Sequence, residues 1–110
     1  MEDSTSEVKI GFRFLNLNKL QAFTLAKEVP GATYKMPRKK NYYVGCVPLT
    51  DTTIHDINDF YVRQNIDISS CDIFVSTVTE YDSYIIDVPQ VVNHILKYID
   101  CKLTYSFTVV

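Results

Sequence analysis

The sequence has no tryptophan, no Cys-x-x-Cys pair and no glycine-rich loop. Its only glycines, Gly11, Gly31 and Gly45, stand far apart, so no backbone cradle for a nucleotide phosphate is encoded. The three cysteines (Cys46, Cys71, Cys101) are dispersed and only His55 and His94 accompany them, which falls short of the tight spacing of a zinc site. Asp51, Asp56 and Asp59 lack the alternating ligands and central glycine of a calcium loop. No metal and no cofactor is expected. No apolar run approaches the roughly 20 residues that cross a bilayer. Met1–Ile10 holds three acids and one lysine, the wrong sign for a secretory or mitochondrial address.

An odd, scattered set of cysteines points to free thiols in a reducing compartment, hence a cytoplasmic protein. Each lies in an apolar stretch, where a cysteine serves as a small hydrophobe. At 110 residues, with 46% hydrophobic and 22% charged side chains, the chain is ordinary for one globular domain. Eight Tyr and six Phe make it rich in aromatics. The net charge of −2 conceals a division: residues 1–50 sum to +4 and residues 51–110 to −6. From Asp51 to Asp87 eight acids meet one base, Arg63. Such a split favours an electrostatically steered contact.

Residues 1–7 read as a disordered lead-in and residues 8–110 as a single α+β domain. Val8, Ile10, Phe12 and Phe14 alternate with polar or small residues, the period of a half-buried strand. Asn16 or Asn18 caps a helix through Ala22, Leu25, Ala26 and Val29, which Pro30-Gly31 stops. Strands near Ala32–Met36 and Tyr42–Val47 flank a basic turn at Pro37–Asn41. Asp51 or Thr52 caps a second helix whose apolar side is Ile54, Ile57 and Tyr61, with Phe60 alongside. Asn65–Ser70 is a turn region, and Cys71–Val78 alternates as a strand. Asp87 caps a third helix with Pro89 in its first turn; Val88, Val92, Ile95, Leu96 and Ile99 form its stripe. Leu103, Tyr105, Phe107 and Val109 mark one face of a last strand.

The order β-α-β-β-α-β-α-β begins with the ferredoxin-like βαββαβ pattern and adds a helix and a strand. The first and last strands each have one polar face, so a mostly antiparallel sheet with all helices on one side is predicted, a two-layer α+β sandwich.

Catalytic candidates are few. His55 beside Asp56 has the chemistry of a base and its orienter, but adjacent residues diverge around a helix. His94 lies one position off the apolar stripe and reads as a half-exposed structural histidine. Arg38-Lys39-Lys40 with Tyr34, Tyr42 and Tyr43 is a nucleic-acid candidate, opposed by a sequence pI near 5.6. The remaining feature is acidic and aromatic. Glu80, Tyr81, Asp82, Tyr84 and Asp87 put three carboxylates and two tyrosines within eight residues. Tyrosine offers contact area at small entropic cost, and carboxylates pair with Arg and Lys of a partner. Asp51, Asp56 and Asp59 extend this candidate surface for a basic protein, against the alternative of a solubilising face.

Element order, small size and the acidic second half resemble bacterial immunity proteins, in particular those of contact-dependent growth inhibition. The resemblance runs from about Val8 to Val110 at the level of architecture. It implies a non-enzymatic inhibitor that covers the basic surface of a cognate toxin domain, such as a nuclease. The alternative is a ferredoxin-like regulatory or small-ligand-binding module, homodimeric through an edge strand. An enzyme and a nucleic-acid binder rank below these.

Overall fold

Phe12 and Phe14 drive the first strand to the middle of the sheet, because their rings need cover while Arg13 between them needs water. That strand, β1 (Glu7–Leu17), is followed by α1 (Lys19–Glu28), β2 (Thr33–Lys35), β3 (Tyr43–Pro48), α2 (Ile54–Arg63), β4 (Cys71–Thr79), α3 (Gln90–Leu96) and β5 (Lys102–Val109). The computed structural model describes residues 7–79 and 90–109, with side chains over 8–77 and 90–106. Met1–Ser6 and the stretch from Glu80 to Pro89, with its expected Asp87 cap, lie outside the described residues.

The five strands lie in the order β2-β3-β1-β4-β5. All pairs are antiparallel except β4–β5, which is parallel and is joined through α3. The βαβ units split as in the ferredoxin-like pattern: β3 separates β1 from β2, and β1 separates β3 from β4. The protein is thus the expected α+β sandwich, with β5 appended beyond β4.

One sheet face is the core. The row Val47–Phe12–Ile73–Leu103 crosses four strands in register, and all but Leu103 are fully buried. Ala22 and Leu25 of α1, Ile54, Ile57 and Phe60 of α2, and Val92 and Ile95 of α3 join the same cluster. All three described helices therefore cover this side. A register shift between Phe14 and Leu17 turns Leu17 into the core as well, the ordinary effect of a bulge.

Asn18 makes the cap of α1 by a capping box: it accepts from the Gln21 N–H at 2.8 Å while the Gln21 side chain accepts from the Asn18 N–H at 3.0 Å. Beyond α1, Gly31 takes φ 80°, which a side chain would resist. At Gly45 a Cβ would press on Leu25 Cδ2 and lie 3.0 Å from Leu17 Cδ1, so α1 sits directly on the backbone of β3.

Three local expectations are corrected. Neither Asp51 nor Thr52 caps α2; Thr53 does, and its hydroxyl donates to the Pro48 carbonyl at 2.8 Å instead of bonding the helix. Phe60, fully buried against Phe14, rather than Tyr61, which packs on the core only in part, completes the buried side of α2. Leu103 and Tyr105 face the helix side but stay 49% exposed, since β5 is an edge strand beyond the helical cover.

Phe60 meets Phe14 edge-on at 5.2 Å, so Phe60→Ala leaves a cavity beneath α2. It should cost about 3–5 kcal/mol, against less than half of that for Tyr61→Ala. Urea midpoints measure both; equal losses would place the seam of α2 elsewhere.

Candidate functional site

The split of charge along the chain becomes a split in space. Residues 7–50 supply β2, β3 and α1, which packs on those two strands and so clothes one edge of the sheet. Among the residues with described side chains this half carries eight basic groups against Glu28. The remaining described residues supply α2, α3, β4 and β5 and carry six acids against Arg63, Lys97 and Lys102.

At the acidic side, Asp51 stands exposed in the turn before α2, Asp56 is half-buried in its first turn and Asp59 follows one turn later. Asp59 is already engaged. Arg63 Nε donates to its Oδ2 at 2.9 Å, and Arg63 Nη2 donates to Glu28 Oε1 at 2.6 Å, tying α2 to the end of α1. Asp51 and Asp56 form no ion pair among the described residues. Glu80, Tyr81, Asp82, Tyr84 and Asp87, the larger part of the expected surface, lie outside the described residues.

Asp51 also borders an open cleft of about 510 Å³ whose other wall is α3, with Gln90, Asn93, His94 and Lys97. Beside it the fold brings the two histidines to one tyrosine: the Tyr98 ring lies 6.3 Å from His55 and 5.8 Å from His94. Both histidines are exposed. Sequence order alone kept them 39 positions apart and gave no sign of this meeting. No hydrogen bond joins His55 to Asp56 among the described residues, and no three His, Cys, Asp or Glu side chains gather there as a metal site.

The three thiols are free. Burial pushes Cys71 up to about 12 and Cys101 up to about 11, and raises Cys46 as well. A thiol held protonated at neutral pH is a weak nucleophile.

The helix-free face of the sheet carries a second arrangement that the sequence reading missed. The row Thr33–Cys46–Arg13–Asp72–Lys102 spans all five strands. Arg13 donates from Nε and Nη2 to the two oxygens of Asp72 at 2.8 and 2.5 Å, and Thr104 Oγ1 donates to Oδ2 at 2.7 Å. The guanidinium also lies 4.2 Å over the Phe74 ring. Burial opposes the charge on Asp72, but its bonds to Arg13 and Thr104, with the charges of Arg13 and Lys102, outweigh it and hold the carboxyl below its ordinary value. Beside this clamp runs a shallow trough of about 640 Å³, lined by Gly11, Thr33, Cys46, Pro48, Phe74 and Ser76.

A third arrangement lies at the basic edge. Phe23 of α1 packs at 5.3 Å from Tyr34 of β2, which packs at 5.7 Å from Tyr43 of β3. Lys19 Nζ sits 5.6 Å over Phe23. The sequence reading placed Tyr34 and Tyr43 beside Arg38-Lys39-Lys40; it missed Phe23 and Lys19 and included Tyr42, whose ring is outside the cluster. The available signal was Leu20 and Phe23, three apart on the polar side of α1, where the core pattern has no use for them.

Compared with protein-family models, curated proteins and solved structures, the chain matches none. Among the described residues no helix is long and apolar enough to cross a membrane.

Asp72 generates a pH prediction. Its carboxyl is depressed in the folded state, so the clamp's stabilisation is present above an unfolded value of about 3.9 and fades as pH falls through the folded one. Asp72→Asn should cost about 2–3 kcal/mol at neutral pH, below the usual cost of breaking a buried pair because Arg13 keeps 26% of its side chain in water. Urea midpoints at pH 7 should differ between the two proteins, and the gap should shrink below about pH 4. A gap independent of pH would remove the ion pair as its source.

Proposed function

We propose that this chain is a non-enzymatic, protein-binding inhibitor of immunity type, whose acidic side covers a basic surface of a cognate toxin domain. The observation that carries the reading is the segregation of charge across the sheet, with Asp51 and Asp56 in no ion pair among the described residues of the acidic side. A face whose carboxylates are not neutralised internally steers a cationic partner and rejects an anionic one. Asp59 serves the fold through Arg63, so within α2 the binding role falls to Asp51 and Asp56. The acidic-aromatic segment Glu80–Asp87 is assigned to the same surface, where Tyr81 and Tyr84 would be the anchors.

A second reading rests on the trough beside Phe74, which suits a regulatory module binding a small ligand on its open sheet face. That reading requires a metabolite to raise the melting temperature of the isolated chain, and Gly11→Val, which fills the trough, to abolish the rise.

The inhibitor reading is tested by screening the products of genes neighbouring its own for a basic toxin domain and challenging cells that express the chain with it. The expected outcome is protection, a one-to-one complex and an association rate that falls steeply with salt. Asp51→Lys with Asp56→Lys should weaken that complex by about tenfold or more, while the circular dichroism spectrum shows the fold retained. Unhindered killing, or a complex indifferent to salt and to both substitutions, would refute it.

A further inference from the structure

The basic edge of the molecule is built as a surface in its own right. Leu20 is 75% exposed, Met36 49%, Phe23 44% and Tyr34 40%, four large apolar side chains on one helix and one hairpin. An isolated exposed apolar residue is unremarkable, whereas a group of them against a ring cluster marks a contact surface. Lys19 and the turn residues Arg38, Lys39 and Lys40 flank the group, and none makes an ion pair among the described residues. The turn presenting the last three is fixed by a bond from the Lys40 N–H to the Pro37 carbonyl at 3.1 Å, with Lys39 at φ 62°. That conformation suits glycine or asparagine, yet a lysine occupies it. β2 is also the open edge of the sheet, three residues long and exposed throughout.

We infer that Leu20, Phe23, Tyr34 and Met36, framed by Lys19 and Arg38–Lys40, form a docking surface for an acidic protein segment that carries apolar side chains. The surface is independent of the acidic side assigned to the toxin. Charge chooses the occupant: uncompensated cations require carboxylates, and a second copy docked edge to edge would set lysines against lysines. A head-to-tail copy would satisfy the charges only by making a contact that does not close, which leads to open chains. Ring geometry separates protein from nucleic acid. Tyr34 meets Tyr43 at 73° and Phe23 meets Tyr43 at 69°, so the rings spend their faces on one another rather than forming a stack for bases, and Leu20 and Met36 add aliphatic surface that bases do not need.

The experiment is a nuclear magnetic resonance titration of the isotope-labelled full chain. The probe is a short peptide that alternates glutamate with valine and phenylalanine; an oligo-dT of matched charge and the chain's own dilution series are run beside it. Saturable shifts should appear at Leu20, Phe23, Tyr34, Met36 and Arg38–Lys40. Phe23→Ser with Tyr34→Ser, and separately Lys39→Glu with Lys40→Glu, should each weaken binding about tenfold. Asp51→Lys with Asp56→Lys should leave it unchanged, which separates this surface from the one assigned to the toxin. The inference is overturned if the peptide gives no saturable shifts there, if oligo-dT binds more tightly than the peptide, or if the same shifts grow with the chain's own concentration.

Discussion

Everything in this structure is arranged around a strand that has partners on both sides. β1 pairs with β3 along one edge and β4 along the other, so its backbone polar groups are consumed by the sheet and only its two faces remain to be satisfied. Phe12 and Phe14 take one face, edge-on to each other at 5.1 Å, with Phe60 continuing the ladder into α2. Arg13 takes the other and is answered by Asp72 from the neighbouring strand. The alternation of apolar and cationic side chains in β1 thus fixes which side the helices cover. It also places the most buried carboxylate of the described chain on the side they do not.

The same central strand explains why a charge gradient along the chain survives folding. Split βαβ units distribute the chain outward from β1: the segment after it builds the β3–β2 side, and the segment after that builds the β4–β5 side. Had β2 and β5 been neighbours, the basic and acidic halves would have neutralised one another. Instead most of each half lies toward its own edge; two ion pairs join the halves, the Arg13–Asp72 clamp at the centre of the sheet and Arg63 with Glu28, an exposed pair of small energetic weight. Its use is geometric, since it joins α1 to α2 where the two halves meet.

Patterns with a strong period were legible before folding. The alternation that buries Phe12 and Phe14 in β1 and Ile73 and Val75 in β4, and the stripe of Val92, Ile95 and Ile99, correspond to buried positions, and α1 ends before Pro30-Gly31 as expected. What escaped reading depended on contacts between distant residues. Asp72 is adjacent in sequence to buried Ile73 and reads as a solvent-facing residue, yet Arg13 and Thr104 let it lie 1% exposed. Alternation in Leu103 and Tyr105 promised burial, but whether a strand's apolar face is covered depends on its place in the sheet, and β5 is last. Thr53 took the cap of α2 from Asp51 and Thr52 because its hydroxyl finds the Pro48 carbonyl five residues back. At the candidate sites, the acidic residues were visible one by one, while the neutralisation of Asp59 by Arg63 was not.

A molecule with opposite charges at its two edges has an orientation before it has any contact. In the field of a basic partner the acidic side turns inward and the basic side outward, so the proposed association through Asp51 and Asp56 would leave Phe23, Tyr34 and the Arg38–Lys40 turn facing solvent. On that proposal the outward surface stays open to a third component, and its unpaired cations favour an acidic one. Were the whole molecule simply a solvated globule, the cheapest sequence would intermix its charges and bury or replace Leu20 and Met36. A shallow, highly solvated cationic rim makes a weak contact unless apolar side chains complete it, and beside the β2–β3 turn Leu20, Phe23, Tyr34 and Met36 are exposed to do so. On the acidic side Val62 of α2 and Tyr98 beyond α3 are likewise exposed, with Tyr98 against His55 and His94, so that side too carries apolar surface beside its carboxylates.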